Sequence, residues 1–189
     1  MEKELLTKVL KSLVDFSEQE LGQIVNCFMP KFAKRNEILL FAGDVCNEFY
    51  YVANGCIRIY FLDKNGHEKT RYIMPKYHIG TALTSFIAQE PSIEFIEALE
   101  DSELLAISHT DFYRLNKELA GWKNFYQCIL EMAYTFQNKR IEQLVTLTAK
   151  QRYNLVLKET PSLIQGVSNK VLASYLDIRE ETLSRLKST

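Results

Sequence analysis

The hydrophobic positions of this chain repeat with a helical period at both ends and with the two-residue period of strands between them. Residues 2–13 place leucines and a valine at helical spacing, which predicts an amphipathic helix. The sequence Ser-Glu-Gln-Glu at residues 17–20 is a capping box, which opens a second helix through about Phe28. Pro30 is expected to end that helix, because proline cannot continue a helical hydrogen-bond ladder.

Short apolar runs alternate with turn residues in the middle of the chain. The predicted strands are residues 38–41, 49–52, 56–62, 70–74, 93–99 and 103–107. Asn54-Gly55 and the sequence Asp-Lys-Asn-Gly at residues 63–66 are typical of tight turns between antiparallel strands. This spacing predicts a small antiparallel roll or barrel, flanked by helices.

A long helix is predicted at residues 121–147, after a helix that starts at residues 108–111. At 1.5 Å per residue it would be roughly 40 Å long. Its apolar stripe is wider than packing on one roll requires, so we expect one side to contact a second copy of the chain. Burial within a monomer is the alternative. The predicted dimer contacts are Trp122, Phe125, Tyr126, Ile129, Met132, Ala133, Phe136 and Arg140.

Residues 168–187 have the pattern of a helix-turn-helix, after a helix at residues 150–158 that Pro161 is expected to break. Ser168 can cap the first helix, and Asp177 tolerates the left-handed conformation that a tight turn requires. The positions that fit the buried side of two crossing helices are Leu172, Ala173, Leu176, Ile178, Leu183 and Leu186. Such a pair reads DNA when its second helix enters the major groove.

The outward face of that second helix carries groups suited to DNA. Arg185 could reach guanine O6 and N7, Glu181 could accept from cytosine N4, and Thr182 suits a phosphate. An ordinary helical hairpin without DNA contact is the alternative. The predicted DNA-binding residues are Ser168, Asn169, Lys170, Arg179, Glu180, Glu181, Thr182, Ser184, Arg185 and Lys187.

Composition and charge fit this prediction without requiring it. The chain has 189 residues, of which 47% are hydrophobic and 25% are charged, as in ordinary globular proteins. Its net charge is −1, but residues 150–189 carry seven basic and four acidic side chains, which leaves −4 for the rest. A mildly basic end favours DNA contact. Because no apolar run could span a membrane and the N-terminus lacks a signal-peptide core, we expect a cytoplasmic protein.

The sequence gives little support for an enzyme or a metal site. The four cysteines lie far apart, which predicts free thiols rather than disulfides, zinc or an iron–sulfur cluster. The three histidines lack the spacing of a cupin-type metal site or of a haem axial pair. These residues are Cys27, Cys46, Cys56, Cys128, His67, His78 and His109. With no P-loop and no Gly-x-Ser-x-Gly motif, we predict no catalytic residue, no metal and no cofactor.

Three segments resemble the CRP/FNR family of bacterial transcription regulators. They are Ala42-Gly-Asp44 with Phe49-Tyr-Tyr-Val-Ala-Asn-Gly55, then Ala98-Leu-Glu-Asp-Ser-Glu-Leu-Leu-Ala-Ile-Ser108, then Glu181-Thr-Leu-Ser-Arg185. The resemblance implies an α+β fold with an antiparallel β-roll of the double-stranded β-helix type at residues 1–118. It also implies a long dimerisation helix at residues 119–147 and a helix-turn-helix domain at residues 148–189. Glu181 and Arg185 would contact bases, while Glu180 stands where several relatives have a basic residue.

The phosphate-binding cassette of that family's cyclic-nucleotide binders is not matched. Those proteins place Gly-Glu before a short helix and Arg-Ser after it, so that the Arg neutralises the cyclic phosphate. This chain has Gly80-Thr81 and, near the second place, Ser92-Ile93, with Glu94 and Glu97 nearby. We therefore expect no tight binding of cAMP. The residual pocket could hold another small molecule or be filled by its own side chains, which we favour. The predicted pocket residues are Tyr72, Tyr77, His78, Gly80, Thr81, Thr84, Ser85, Ser92 and Ile93.

The sequence therefore predicts a dimeric, sequence-specific DNA-binding transcription regulator that does not respond to cAMP. Its partners would be a near-palindromic double-stranded DNA site, a second copy of the chain and RNA polymerase. The alternative is a ligand-binding β-roll protein whose terminal helices do not read DNA. Relatives usually add a β-hairpin wing after the recognition helix, so a chain ending at Thr189 implies a minimal or a truncated DNA-binding unit.

Overall fold

Two helices open the chain. The computed structural model describes residues 2–188, apart from the side chains of residues 162 and 165. Helix α1 is Glu2–Leu13 and α2 is Glu18–Cys27. The Ser17 hydroxyl accepts from the Glu20 amide, and the Glu20 carboxylate accepts from the Ser17 amide, so the predicted capping box is present. Both predicted N-terminal helices are confirmed.

Antiparallel strands follow and form two four-stranded sheets, which confirms the predicted roll. The strands are β1 (Met29–Ala33), β2 (Ile38–Leu40), β3 (Glu48–Asn54), β4 (Cys56–Leu62), β5 (Glu68–Pro75), β6 (Ile79–Gly80), β7 (Glu94–Ala98) and β8 (Ser102–Ser108). The first sheet has the order β1-β8-β3-β6, and the second sheet has the order β2-β7-β4-β5. Gly55 joins β3 to β4 at φ +90°, and a Cβ there would lie 2.7 Å from the Ser102 Cα, so this turn requires glycine.

Three elements of the roll were not predicted from the sequence. Strand β1 contains Pro30, which is tolerated because β1 lies at the edge of its sheet and pairs only with β8. Strand β6 has only two residues, too few to show a period. Helix α3 (Leu83–Ala88) has six residues and connects β6 to β7.

Helices form the rest of the described chain. They are α4 (His109–Glu118), α5 (Ala120–Thr146), α6 (Ala149–Glu159), α7 (Pro161–Gly166), α8 (Asn169–Leu176) and α9 (Glu180–Lys187). The long helix therefore agrees with its prediction to within a residue at each end. Pro161 does not only break the preceding helix, because it also opens α7, where a proline in the first turn loses no hydrogen bond. Among residues 2–188, no helix combines the length and the apolar character needed to cross a membrane.

The main hydrophobic core lies between the two sheets and the helices beside them. Ile57 and Ile96 from the second sheet, Tyr51 from the first and Leu10 from α1 are all fully buried there. Trp122 of α5 joins the same core, and its indole N–H donates to the Phe112 carbonyl at 3.0 Å. The beginning of α5 is therefore fixed to the roll.

A second hydrophobic cluster joins the terminal helices to the roll. Cys56 of β4 and Ile73 of β5 contribute to it from the outer face of the second sheet. Tyr153, Leu172 and Leu183 contribute from α6, α8 and α9. The helices after α5 therefore pack on the sheet and do not stand apart from it. The predicted division into residues 1–118, 119–147 and 148–189 stays a prediction.

Candidate DNA-binding unit and ligand pocket

The terminal helices α8 and α9 are joined by a tight turn, as their sequence predicts. The Ser168 hydroxyl accepts from the Val171 amide at 3.3 Å and caps α8. Asp177 has the left-handed conformation, with φ 53° and ψ 50°, and ends the helix. The Ile178 amide donates to the Ala173 carbonyl at 3.0 Å, which closes the turn. Of the predicted inward positions, Leu172, Ala173, Leu176 and Leu183 are buried, and Ile178 and Leu186 are half-buried.

The opposite face of this pair is open to solvent. Thr182, predicted to contact a phosphate, is half-buried. The other predicted DNA-binding residues are all exposed, namely Ser168, Asn169, Lys170, Arg179, Glu180, Glu181, Ser184, Arg185 and Lys187. Glu180 and Glu181 lie in the first turn of α9 and Arg185 in its last, which is the charge order that the helix dipole favours.

Some of these exposed side chains already have partners within the chain. The Lys187 ammonium donates to the Asn169 side-chain oxygen at 2.7 Å. The Lys170 ammonium pairs with the Glu68 carboxylate of β5 at 2.5 Å. Each contact competes with a phosphate for the same ammonium group, so Lys170 reaches DNA only if it leaves the roll.

Helix α8 is attached to β5 by hydrogen bonds as well as by this ion pair. The Ser174 hydroxyl accepts from the Thr70 amide at 2.8 Å. It also lies 2.9 Å from the Thr70 hydroxyl and 2.9 Å from the Glu68 carbonyl oxygen. Lys69 of β5 pairs with Asp177 at the end of α8. The first helix of the terminal pair is therefore held on the outer face of the second sheet.

Arg58 of β4 lies beneath this contact, and only 4% of its side chain is exposed. Its Nε donates to Glu97 at 2.7 Å, its Nη2 donates to Glu68 at 2.6 Å, and its Nη1 donates to the Thr70 hydroxyl at 3.2 Å. Its guanidinium carbon lies 4.1 Å from the centre of the Tyr60 ring. The buried cation is thus held by acceptors of the same sheet at all three of its nitrogen atoms.

Glu68 connects that buried cation to the terminal helices. Burial would raise the pKa of its carboxyl group, but hydrogen bonds and charge from Lys170 and Arg58 outweigh burial and hold the pKa below its ordinary value. Glu68 therefore stays ionised and bridges β4 to α8.

Helix α5 has two apolar faces, and the predicted dimer contacts lie mostly on the inner one. Trp122 and Phe125 are fully buried, and Ile129 is 8% exposed. These three side chains fill the chain's own core, so we withdraw them from the dimer interface. The sequence prediction failed here because a stripe wide enough for two partners does not tell which residues face which partner.

Most of the remaining predicted contacts also face the chain itself, although Met132 is 51% exposed and stays available to a partner. The Phe136 ring packs against the Tyr72 ring, with centroids 4.9 Å apart. The Arg140 guanidinium lies 4.4 Å from the centre of the Tyr175 ring of α8 and is buried. Tyr126 packs on α4. Met132 and Ala133 line the cavity described below.

The outer face of α5 carries a second apolar stripe, whose residues are not among the predicted dimer contacts. Tyr134 is 72% exposed, Ile141 59%, Leu144 37% and Val145 79%. They recur at the spacing of a coiled-coil seam, so they lie on one side of the helix. A hydrophobic stripe of this kind on an otherwise packed helix marks an interaction surface.

A cavity of about 440 Å³ lies beside strand β5 of the second sheet, and it is bounded also by β3 and β6 of the first sheet, by α3 and by α5. It corrects the expectation that the pocket is filled by its own side chains. Its walls are mainly apolar, and its lining includes Phe49, Ile79, Leu83, Ile87, Ile129, Leu130, Met132, Ala133 and Phe136. Tyr134 of the outer stripe also borders it. Of the predicted pocket residues, Tyr72, Gly80, Thr81 and Thr84 line this cavity. A Cβ at Gly80 would lie 2.7 Å from the Met74 sulfur, so any other residue there would have to displace the end of that side chain.

The other predicted pocket residues lie elsewhere. Ile93 is 79% exposed, and Tyr77 is 44% exposed. His78 lines a separate cavity of about 430 Å³ beside α6. The Ser85 hydroxyl accepts from the Cys46 amide and donates to the Glu90 carbonyl. The Ser92 hydroxyl forms hydrogen bonds with the backbone of Glu94, two residues along the chain. Both serines therefore form hydrogen bonds with the backbone and do not line the cavity. The neighbouring residues in the sequence did not indicate this role.

Arg71 also lines the cavity and was not predicted. Strand β5 has an irregular register against β4, where Ile59 pairs with Tyr72 and Tyr60 pairs with Thr70. Arg71 is the extra residue of this bulge, so that both it and Tyr72 border the cavity, although consecutive strand residues ordinarily face opposite sides. Among the described lining residues Arg71 is the one cation, and it pairs with Glu94 of β7.

The two buried cysteines are not reactive thiols, and the described residues contain no cluster suited to a metal ion. All four cysteines are free. Burial raises the pKa of the Cys46 thiol and raises that of the Cys56 thiol to about 12, so neither is a ready thiolate. Within residues 2–188, no group of three or more histidine, cysteine or acidic side chains is arranged to hold a metal ion.

Comparisons with known proteins agree with this architecture. The family model of the cyclic nucleotide-binding domain matches residues 30–118. An anaerobic regulatory protein of Pasteurella multocida is 25% identical over 184 residues, which cover 90% of this chain. The chain spans 66% of that curated relative, just under two thirds of its length.

Solved structures share the fold over most of the chain. FixK2 from Bradyrhizobium japonicum has a TM-score of 0.77 at 15% identity, covering 85% of this chain and 83% of that one. A protein described as a crp/fnr family transcriptional regulator, from Eubacterium rectale, has a TM-score of 0.70 at 19% identity, covering 91% and 82%.

Residues 30–118 therefore match the family of cyclic nucleotide-binding domains. Its fold is that of the CRP/FNR regulators, which confirms the resemblance predicted from the sequence. The relatives are regulatory proteins by name and not enzymes, in agreement with the prediction that this chain is not an enzyme.

Proposed function

We propose that the protein is a dimeric, sequence-specific DNA-binding transcription regulator of the CRP/FNR type that does not respond to cAMP. The observation that carries the proposal is the terminal pair of helices. The capped α8, the left-handed turn at Asp177 and the exposed polar face of α9 are what a DNA-reading pair requires. The name of the curated relative, an anaerobic regulatory protein, supports regulation.

In this proposal α9 enters the major groove. Arg185 donates to guanine O6 and N7, Glu181 accepts from cytosine N4, and Thr182 contacts a phosphate. Two copies of α9 would lie about 34 Å apart and read a near-palindromic site. A regulator of this type acts where the DNA is, so we place it in the cytoplasm, with RNA polymerase as a further partner.

The second copy would pack against the outer stripe of α5. Tyr134, Ile141, Leu144 and Val145 are exposed in the single chain, and burying apolar side chains against a twin helix removes that area from water. The inner face of α5 stays on the roll. The two-fold axis would then run along the outer face of the long helices.

The cavity residues do not match a cyclic phosphate. The Thr81 hydroxyl donates to the Glu48 carbonyl oxygen at 2.7 Å, and Ile93 is 79% exposed. Arg71 is already paired with Glu94. A phosphate placed in the cavity would have to displace that carboxylate, and a buried anion without its own cation is costly. We therefore propose that cAMP is not the effector.

The test of DNA reading is selection of bound sequences from a random double-stranded pool, without added ligand. Enrichment of an inverted repeat is the expected result. Arg185→Ala should then reduce discrimination between the enriched and a scrambled site by about 1–3 kcal/mol. Arg35→Ala, an exposed arginine on the roll, is the matched control and should change nothing. Absence of any enrichment would favour the alternative, a roll whose terminal helices do not read DNA.

The test of the dimer compares two equally exposed β-branched residues. Val145 on α5 and Ile93 on the roll are each 79% exposed. Val145→Glu should convert a dimer into a monomer in analytical ultracentrifugation, because it places like charges across the two-fold axis. Ile93→Glu should leave the dimer intact. A dimer that survives Val145→Glu would place the interface elsewhere.

A further inference from the structure

The charges that border the cavity are balanced within the chain. The Arg71 Nη2 lies 3.2 Å from a Glu94 oxygen, and its Nε donates to the other oxygen of the same carboxylate. The exposed fractions of the two side chains are 20% and 10%. A two-pronged contact of this geometry is the strongest that a guanidinium makes with a carboxylate. The cavity therefore presents a neutral ion pair and not a free cation.

An anionic ligand would meet an unfavourable field in this cavity. To reach the guanidinium it must either displace Glu94 or lie beside its negative charge. Displacement would leave the Glu94 carboxylate, which is only 10% exposed, without its guanidinium partner, and this is costly. A cationic ligand would meet Arg71 with the same disadvantage. The charge arrangement therefore favours an uncharged occupant.

The other residues that line the cavity indicate the size and polarity of the ligand. Most of the walls are aliphatic or aromatic, and the volume of about 440 Å³ lies within the range of pockets that bind small molecules. Among the described lining residues, neither the Thr84 hydroxyl nor the Gln137 amide has a hydrogen-bond partner in the chain. These two groups can orient a ligand that carries a hydrogen-bonding atom.

We infer that the cavity between the second sheet and α5 binds an uncharged, mainly apolar small molecule with one or two hydrogen-bonding groups. The inference names the ligand class of the sensor side of the proposed regulator, and its regulatory meaning rests on that proposal. Binding itself is measured without DNA. A chain that does not read DNA can therefore still bind the ligand, so a failure of the proposed DNA binding is distinguishable from a failure of the proposed ligand binding.

The test uses two fluorescent probes with the same aromatic body. N-phenyl-1-naphthylamine is uncharged, whereas 8-anilino-1-naphthalenesulfonate adds a sulfonate. The full chain should bind the uncharged probe about tenfold or more tightly than the sulfonate. Addition of cAMP should not displace the uncharged probe. Equal affinity for the two probes, or displacement by cAMP, would overturn the inference.

Variants must show that the probe lies in this cavity. Ala133→Trp from α5 and Ile87→Trp from α3 each place an indole in the cavity and should weaken binding of the uncharged probe about tenfold or more. Ile93→Trp, at an exposed position outside the cavity lining, is the control and should bind normally. Thermal unfolding establishes that each variant is folded. Unchanged binding in both filled variants would mean that the probe binds elsewhere, which overturns the inference.

A last variant tests the role of charge. Glu94→Gln removes the carboxylate that neutralises Arg71 and keeps the side chain's size. The sulfonate probe should gain affinity relative to the uncharged probe, by about tenfold, because the guanidinium becomes available to it. An unchanged preference would mean that the ion pair does not set the ligand class.

Discussion

Each face of the second sheet holds an arginine that is paired with carboxylates, but the surroundings of the two differ. On the outer face Arg58 contacts two carboxylates, Glu68 and Glu97, and the terminal helices cover the group. On the inner face Arg71 contacts Glu94 alone, and a cavity lies beside the pair. The exposed fraction of the Arg58 side chain is 4%, against 20% for Arg71. Arg58 lies between the sheet and the terminal helices, whereas Arg71 lines a cavity.

The two arginine groups differ in their net charge, and only the outer group needs a charge from the terminal helices. The inner pair is electrically neutral. The outer group carries one excess negative charge until Lys170 of α8 pairs with Glu68. Docking of α8 therefore completes the outer group, whereas the inner face needs no charge from outside. We expect the proposed DNA-binding unit to be coupled to the roll through Glu68.

The largest expected effect comes from removing the outer arginine. Arg58→Met leaves Glu68 and Glu97 close together without the cation between them, and should lower the free energy of unfolding by about 3–5 kcal/mol. Arg71→Met strands a single carboxylate beside a cavity that water can enter, so a smaller loss of about 1–3 kcal/mol is expected. Urea denaturation of both variants measures the two values.

An exposed arginine serves as the control for the Arg58→Met and Arg71→Met variants. Arg35→Met should change the free energy of unfolding by no more than about 0.5 kcal/mol, because its side chain is in solvent. Equal losses for Arg58→Met and Arg71→Met would contradict the proposed difference between the two faces.

A smaller effect is expected at the hydrogen bonds that hold α8 on the outer face. Ser174→Ala leaves the buried Thr70 amide without its acceptor and should lower the free energy of unfolding by about 1–3 kcal/mol. Faster hydrogen exchange of the Thr70 amide should accompany the loss. Ser184→Ala on exposed α9 is the control and should stay within about 0.5 kcal/mol. Unchanged exchange at Thr70 would mean that this contact does not hold α8.

The two faces also differ in how far the sequence could predict them. Periodicity predicted most of the strands and the long helix, because burial of one face leaves a regular trace along the chain. Capping residues predicted α8, since Ser168 and Asp177 act through local hydrogen bonds and local conformation. The bulge that turns Arg71 toward the cavity has no periodic pattern or capping residue that would predict it from the sequence. It arises from pairing between β4 and β5, and a strict alternation would have placed Arg71 and Tyr72 on opposite faces.

The sequence also could not predict which distant residues each side chain contacts. The inner and outer stripes of α5 are both apolar, and only the packed structure shows that Trp122 belongs to the core and Val145 to the surface. Likewise, Lys170 is typical of a phosphate contact on its own, and its pairing with Glu68 spans about a hundred residues of chain. Long-range pairs of this kind depend on the whole fold, so local patterns cannot predict them.

The smallest expected effect is a pH dependence of the outer group. The folded-state pKa of Glu68 lies below its ordinary value because Lys170 and Arg58 outweigh burial, so the ionised form stabilises the fold. A depressed pKa contributes stability that is present above the unfolded-state value of about 4.3 and is lost as the pH falls through the folded-state value. Wild-type stability should therefore fall between pH 5 and pH 3 more steeply, by about a few tenths of a kcal/mol, than that of Glu68→Gln.

The effect is small because 62% of the Lys170 side chain is exposed and water screens its charge. Other carboxyl groups titrate in the same range, but they are present in both proteins, so the difference between the two curves isolates Glu68. Glu90→Gln, which removes an exposed carboxylate, should leave the wild-type pH profile unchanged. If Glu68→Gln and wild type lose stability in parallel, the ion pair to α8 does not couple the terminal helices to the sheet. Docking would then rest on the apolar cluster and the Ser174 hydrogen bonds alone.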